Sequence, residues 1–104
     1  MDMTVEKCPV EEAIRIIGGK WKLLILRSLL LNGPQRYNAL LRTVTAISPK
    51  ELTRNLRALT NAALVARPSG TGPNVRYELT NLGNELMPTF KKLLIWGKKL
   101  AASA

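Results

Sequence analysis

Residues 47–59 read ISPKELTRNLRAL, and this stretch predicts a helix with two different faces. Ser48 followed three residues later by Glu51 is the pattern of a capping box, and Pro49 falls in the first turn, where a helix tolerates proline best. The helix therefore begins at Ser48. At about 100° per residue, three leucines then share one narrow stripe that is suited to burial: Leu52, Leu56 and Leu59.

The opposite face of this helix is basic and rich in hydrogen-bonding groups. It carries Lys50, Arg54, Arg57 and Asn61, with Thr53 at its edge. A helix that only faces solvent shows the same pattern. The segment alone therefore leaves open whether the basic face binds a ligand or is merely solvated.

The composition of the chain favours a polyanionic partner. The 104 residues are 46% hydrophobic, which is enough for one domain with its own core. Lysine and arginine number 16 against 7 acidic residues, and the formal net charge is +9. Residues 13–80 hold eleven of the basic residues and only two of the acidic ones. A central basic surface of this kind suits nucleic acid or an anionic membrane.

The residue types that most enzymes require are scarce. The chain has no histidine and one cysteine, Cys8, which excludes a histidine-based triad, an intrachain disulfide and an intrachain zinc cluster. We expect no enzyme, no cofactor and no metal. The N-terminal stretch lacks the order of a signal peptide, and residues 21–31 are too short and too charged to span a bilayer. We therefore expect a cytoplasmic protein without a membrane segment.

Three more helices are predicted before residue 47. Residues 9–17 have apolar residues at helical spacing and end at a glycine pair, and residues 21–31 form an apolar central helix that stops at residues 32–34. A shorter third helix covers residues 37–44, with Tyr37 on its apolar side. Only three residues separate it from the helix that begins at Ser48. The pair predicts a helix-turn-helix over about residues 37–61.

A β-hairpin is predicted over about residues 64–80. Val75, Tyr77 and Leu79 alternate with charged residues, and the glycines and proline of residues 70–73 supply a turn. A dinucleotide loop there would need a third glycine and a following helix. A hairpin after a helix-turn-helix predicts a winged helix, mainly α with a small β element, whose second helix enters the DNA major groove. The candidate DNA-binding residues are Arg36, Ser48, Pro49, Lys50, Thr53, Arg54, Arg57, Arg67 and Arg76.

A last helix over about residues 81–102 has more apolar surface than one small core can cover. Its seam follows a heptad-like spacing, and Pro88 is predicted to kink it. We expect dimerisation through the first and last helices. The alternatives are a helix folded back on its own core and a helix lying on a membrane surface. The predicted interface comprises Val10, Ile14, Ile17, Leu86, Phe90, Leu93, Trp96 and Leu100.

Four blocks in this order resemble the HxlR-type winged helix-turn-helix regulators, relatives of the MarR group, from Cys8 to about Gly97. They are CPVEEAIRIIGGKWKLLILRSLL (8–30), GPQRYNALLRTVTAIS (33–48), LTRNLRAL (52–59) and RYELTNLG (76–83). The resemblance implies a homodimeric transcription factor, more often a repressor, that binds a palindromic double-stranded DNA operator. It also implies control by a small-molecule effector or by redox or electrophile chemistry at Cys8, for which the alternative is a buried structural cysteine.

Three departures from the family pattern bear on these expectations. Residues 61–63 lack the usual acidic residues and glycine, which predicts a less sharply terminated recognition helix. The wing turn at residues 69–72 differs from the usual proline-rich turn, and acidic residues are missing near Asn38. Two other functions remain open. One is a basic RNA-binding or nucleoid-associated protein, and the other is a winged-helix adaptor that binds protein.

Overall fold

The computed structural model describes residues 8–68, 72 and 75–103. The predicted fold class, mainly helical with a small antiparallel sheet, is confirmed. The elements in chain order are α1 (Pro9–Ile17), α2 (Lys20–Asn32), β1 (Gln35–Arg36), α3 (Tyr37–Thr43), α4 (Pro49–Asn61), β2 (Arg76–Tyr77), α5 (Asn81–Asn84) and α6 (Met87–Ser103).

Helix α2 forms the centre of the core and packs against α4. Its residues Ile25, Leu26 and Leu29 are buried, and the predicted leucine stripe of α4 is buried as well. Full burial of one leucine is worth about 1.5–3 kcal/mol, so this stripe fixes which side of α4 faces inward. Its basic face is consequently presented to solvent. The remaining buried apolar residues of the core are Leu40, Val44, Ile47, Leu64 and Val65.

A buried polar network holds β1 against α2 and α3. Gln35 Nε2 donates to the carbonyl and hydroxyl oxygens of Ser28 at 3.1 and 2.8 Å, and Thr43 Oγ1 donates to Gln35 Oε1 at 3.0 Å. The Ser28 and Thr43 hydroxyl oxygens lie 2.8 Å apart. Because each polar group finds a partner, burying Ser28 and Gln35 costs little, and the network fixes the strand's position.

The predicted hairpin, called the wing below, pairs with strand β1, which the sequence pattern did not reveal. β2 pairs antiparallel with β1, in the register Gln35 with Tyr77 and Arg36 with Arg76. The predicted hairpin is present as a bridge between Val65 and Leu79. The predicted turn lies outside the described residues except for Gly72. A two-residue strand is too short to show alternation, which explains why β1 was missed.

Helix α4 ends more sharply than its sequence predicted. The Leu64 N–H donates to the Leu59 carbonyl and the Ala63 N–H to the Thr60 carbonyl, both at 3.0 Å. These two bonds form a Schellman motif. Ala63 takes the left-handed conformation, with φ 61°, at the position that usually holds glycine. The expectation of a less sharply terminated helix was therefore wrong, because Ala63 adopts the left-handed conformation without a glycine and both terminating hydrogen bonds form.

The C-terminal helical region is broken before Pro88 rather than kinked by it. α5 ends at Asn84, a turn follows, and α6 starts at Met87. Pro88 therefore lies in the first turn of α6, where its missing N–H has no intrahelical acceptor to lose. The predicted kink was wrong for this reason. Leu86 and Phe90 pack against the core, and residues 91–103 are all exposed.

Candidate nucleic-acid interface

The first turn of α4 is built around its N-cap. Ser48 Oγ accepts a hydrogen bond from the Glu51 N–H at 3.1 Å, which is one half of the predicted capping box. The Glu51 carboxylate lies 2.6 Å from Arg54 Nη2. The cap fixes where α4 begins, and it therefore fixes which side chains stand on the exposed face.

Tyr37 connects α3 to this exposed face. Its hydroxyl donates to the Pro49 carbonyl at 2.9 Å and lies 2.8 Å from Thr53 Oγ1. The sequence pattern predicted Tyr37 only as an apolar residue of the third helix. Its ring does pack against the core, but the polar tip reaches the recognition helix. A tyrosine packed against a core usually finds a hydrogen-bond partner for its hydroxyl, and this tendency is the signal that the sequence offered.

Arginines from three elements line one open groove of 640 Å³ beside the wing. Arg36 of β1 and Arg76 of β2 are cross-strand partners, an arrangement in which like charges repel. Arg42 of α3 lines the same groove, a role that its position in the sequence did not predict. Such a cluster suits an anion, because a bound phosphate removes the repulsion.

A smaller concave surface of 230 Å³ lies between α4 and the wing. Arg57 and Arg67 line it together with Thr53. Tyr37 and Tyr77 line both concave surfaces, so the two are adjacent. Within the part of the chain that the structure describes, no carboxylate lines either of them. Arg57 of α4, Arg36 of β1, and Arg67 and Arg76 of the wing therefore line one basic surface.

All nine predicted DNA-binding residues are exposed, namely Arg36, Ser48, Pro49, Lys50, Thr53, Arg54, Arg57, Arg67 and Arg76. The structure brings Arg36 and Arg76 together across the sheet and places Arg57 and Arg67 around one groove. Lys50 and Arg54 lie on the solvent side of α4, outside both grooves. Asn55 is buried and donates to the Glu51 carbonyl at 2.7 Å, which separates it from the exposed face.

The predicted dimer-interface residues fall into two groups. Ile17, Leu86 and Phe90 are partly buried against the protein's own core. The others are exposed, including Ile14 at 61% and Trp96 at 59%. The uncovered apolar surface is completed by Val10 on α1 and by four further residues of α6: Leu93, Leu94, Ile95 and Leu100.

Cys8 is the N-cap residue of α1 and is 6% exposed. Among residues 8–68, 72 and 75–103, no three His, Cys, Asp or Glu side chains are grouped so that they could hold a metal ion. Across the same described ranges, no helix combines the length and the apolar character needed to cross a membrane.

Comparisons with known proteins agree with this geometry. The family model of the HxlR-like helix-turn-helix matches residues 16–104 of the chain. The HTH-type transcriptional regulator YkvN of Bacillus subtilis is 40% identical over 92 residues, covering 86% of this chain and 77% of YkvN.

Two solved structures show the same architecture. A MarR-family transcriptional regulator from Porphyromonas gingivalis superposes with a TM-score of 0.80 at 31% identity, covering 94% of this chain and 97% of that one. Quinone-bound YodB from B. subtilis gives a TM-score of 0.74 at 30% identity, with 86% and 96% covered.

Proposed function

Because the chain belongs to the HxlR-like helix-turn-helix family and is a DNA-binding transcriptional regulator, not an enzyme, we propose that it binds a palindromic operator as a homodimer. In this proposal α4 enters the major groove and the wing follows the flanking backbone. The observation that carries the proposal is the continuous basic surface formed by α4, β1 and the wing. The comparisons support the winged-helix fold and the regulator family, and the operator geometry is what we propose in addition.

The exposed face of α4 supplies the groups for reading bases. Arg54 and Arg57 carry planar guanidinium groups that can donate two hydrogen bonds to guanine O6 and N7. Lys50 is a third donor on the same face. Ser48 offers its backbone at a helix N-terminus, where a phosphate is stabilised by unpaired N–H groups. We assign base reading mainly to the guanidinium groups.

The groove beside the wing supplies contacts to the DNA backbone. Arg36 and Arg76 repel each other across the sheet, and Arg42 adds a third positive charge. Phosphate binding would offset this repulsion, and it would depend on salt because each neutralised phosphate releases counterions. These arginines fix the register of the protein on DNA without reading sequence. Arg67, which lines the smaller concave surface between α4 and the wing, is likewise assigned a contact to the DNA backbone.

The homodimer rests on the uncovered apolar surface of α1 and α6. Leu93 and Trp96 are exposed on α6, and Ile14 on α1. Exposed apolar side chains concentrated on two helices mark an interaction site, and a second copy would bury them in a two-fold interface that matches a palindromic operator. If the operator overlaps a promoter, binding represses transcription. Because the operator lies on the chromosome, we also propose a cytoplasmic location.

Control by a small-molecule effector is the remaining part of the proposal. Cys8 is the only cysteine of the chain, so an added oxidant can convert it to an intersubunit disulfide or to a mixed disulfide with a small thiol, and an electrophile can alkylate it. The burial of Cys8 favours slow reaction. A structural role, as a small apolar residue at the start of α1, is the alternative.

Selection of bound fragments from the source genome tests the proposed function directly. Purified protein is incubated with sheared DNA at near-physiological salt, which suppresses nonspecific binding, and the recovered fragments are sequenced and footprinted. We expect a shared motif with two half-sites separated by about 10–10.5 base pairs or a multiple of this spacing. Fragments without a common motif would contradict the proposal and favour nonspecific coating of nucleic acid.

A further inference from the structure

The hydroxyl of Thr53 contacts the hydroxyl of Tyr37 on the exposed face of α4. Thr53 is exposed on α4, and its Oγ1 lies 2.8 Å from the Tyr37 hydroxyl. Tyr37 is in turn 2.9 Å from the Pro49 carbonyl. Three oxygen atoms from α3 and α4 therefore form a short hydrogen-bonded chain whose outer end is Thr53.

The proton positions in this chain follow from counting donors. A carbonyl oxygen can only accept, so the single O–H of Tyr37 donates to Pro49. The Tyr37 oxygen then has lone pairs and no proton left for Thr53. The contact between the two hydroxyls therefore requires that the Thr53 O–H donates to Tyr37. Thr53 Oγ1 retains only lone pairs for any group that approaches α4 from outside.

We infer that Tyr37 makes Thr53 an acceptor-only reader, which selects an adenine or a cytosine on the strand nearer to Thr53 at one position of each half-site. Adenine N6 and cytosine N4 are the amino donors that bases present in the major groove, whereas guanine and thymine present acceptors there. A threonine with a free hydroxyl can read either kind of edge. This inference rests on the proposed function, because it requires that the exposed face of α4 reads bases.

The assignment gives α4 two complementary kinds of reader. Lys50, Arg54 and Arg57 can only donate hydrogen bonds, which suits guanine. Thr53 lies beside them and can only accept. Tyr37 acts through Thr53 and is thus a positioning residue that sets the direction of one hydrogen bond.

The test is selection of operator variants from a library randomised across one half-site, with binding measured at each position. The wild-type protein should prefer adenine or cytosine at the position governed by Thr53. Thr53→Val keeps the size and the branched shape of the side chain but removes the hydroxyl. It should reduce this preference about three- to tenfold, the range expected for one hydrogen bond, and leave the other positions unchanged.

Tyr37→Phe tests the positioning role while keeping the aromatic ring in place. Without the tyrosine hydroxyl, the Thr53 O–H can turn outward or bond back to the carbonyl four residues earlier. Either change should relax the adenine or cytosine preference at the same position by about three- to tenfold. Thermal melting checks that this variant remains folded, and Thr53→Val carries the test without it.

The outcomes separate this inference from the proposed function. A preference for guanine or thymine at the Thr53 position, or an unchanged profile in both variants while Arg54→Ala loses specificity, overturns the inference and leaves base reading by α4 intact. An unchanged profile in all three variants overturns the proposed function together with the inference.

Discussion

Glu51 Oε1 lies 2.6 Å from Arg54 Nη2, and the two residues are three positions apart on α4. The guanidinium side chain is 67% exposed. An exposed ion pair at this spacing is worth only about 0.2–0.5 kcal/mol. The pair therefore holds Arg54 in the free protein weakly enough to release it when a guanine or a phosphate approaches.

Glu51→Gln should raise the affinity for DNA of any sequence. The change removes the only carboxylate of α4, and the cap persists because Ser48 accepts from the backbone N–H at position 51. We expect an increase of about two- to fivefold at low salt that shrinks as salt screens the charge. Fluorescence anisotropy over a salt series measures it.

Glu12→Gln is the matched control. Glu12 pairs with Arg15 at the same three-residue spacing and a distance of 2.5 Å, but on α1, outside the basic surface. We expect its DNA affinity to stay close to that of the wild type. An equal gain in both variants would show that net charge alone, rather than the placement of Glu51, controls binding.

Ala63→Gly should stabilise the protein. Ala63 has φ 61°, a conformation that costs an alanine about 1–2 kcal/mol and costs glycine almost nothing. Glycine loses more entropy on folding, so we expect a net gain of about 0.5–1 kcal/mol in the free energy of unfolding. Denaturant melts at fixed protein concentration measure this gain. Ala62→Gly, at φ −84°, is the control and should be neutral or destabilising.

Leu93→Glu should abolish the homodimer. Leu93 is 44% exposed in the free chain, and the new carboxylate would be buried without a partner in a two-fold interface. Light scattering should give a dimer for the wild type and a monomer for the variant. Leu31→Glu, also at an exposed leucine but outside α1 and α6, should remain dimeric. A monomeric wild type at roughly tens of micromolar, a range in which functional dimers persist, would contradict the interface.

Oxidation should act slowly and through Cys8 alone. Diamide should lower the operator affinity of the wild type over an extended incubation, because only 6% of Cys8 is exposed. Cys8→Ala should bind the operator as tightly as the wild type and ignore diamide. Mass spectrometry identifies the adduct or the intersubunit disulfide. Unchanged mass and affinity in the treated wild type would assign Cys8 a structural role.

Local sequence signals were sufficient for most helices. Pro9 and Pro49 mark helix starts, and the glycines at residues 18–19 and 33 mark helix ends, because these residue types act through their own backbone. The leucine stripe identified the buried side of α4 by periodicity alone. The exposed positions of the basic face of α4 followed from it, and Lys50, Thr53, Arg54 and Arg57 are all on the surface.

The features that the sequence did not predict depend on contacts between distant segments. β1 exists because Gln35 and Arg36 pair with β2 about forty residues later, and two residues carry no periodic signal. Arg42 lines the same groove as Arg36 and Arg76, and this pairing brings those two arginines together. The contact of Tyr37 with Pro49 and Thr53 likewise depends on the packing of α3 against α4. Nothing in local spacing specifies such packing.

The specificity ratio of the arginine variants tests the central claim most directly. Operator and scrambled DNA are titrated over a salt series with the wild type, Arg54→Ala, Arg57→Ala and Arg76→Ala. We expect Arg54→Ala to lose about 1–3 kcal/mol of binding free energy on the operator and to weaken the base preference at one position per half-site. Arg76→Ala should weaken both DNAs alike and make the salt dependence shallower by about one unit. If Arg54→Ala and Arg57→Ala both leave the ratio of operator to scrambled affinity unchanged, the exposed face of α4 does not read bases.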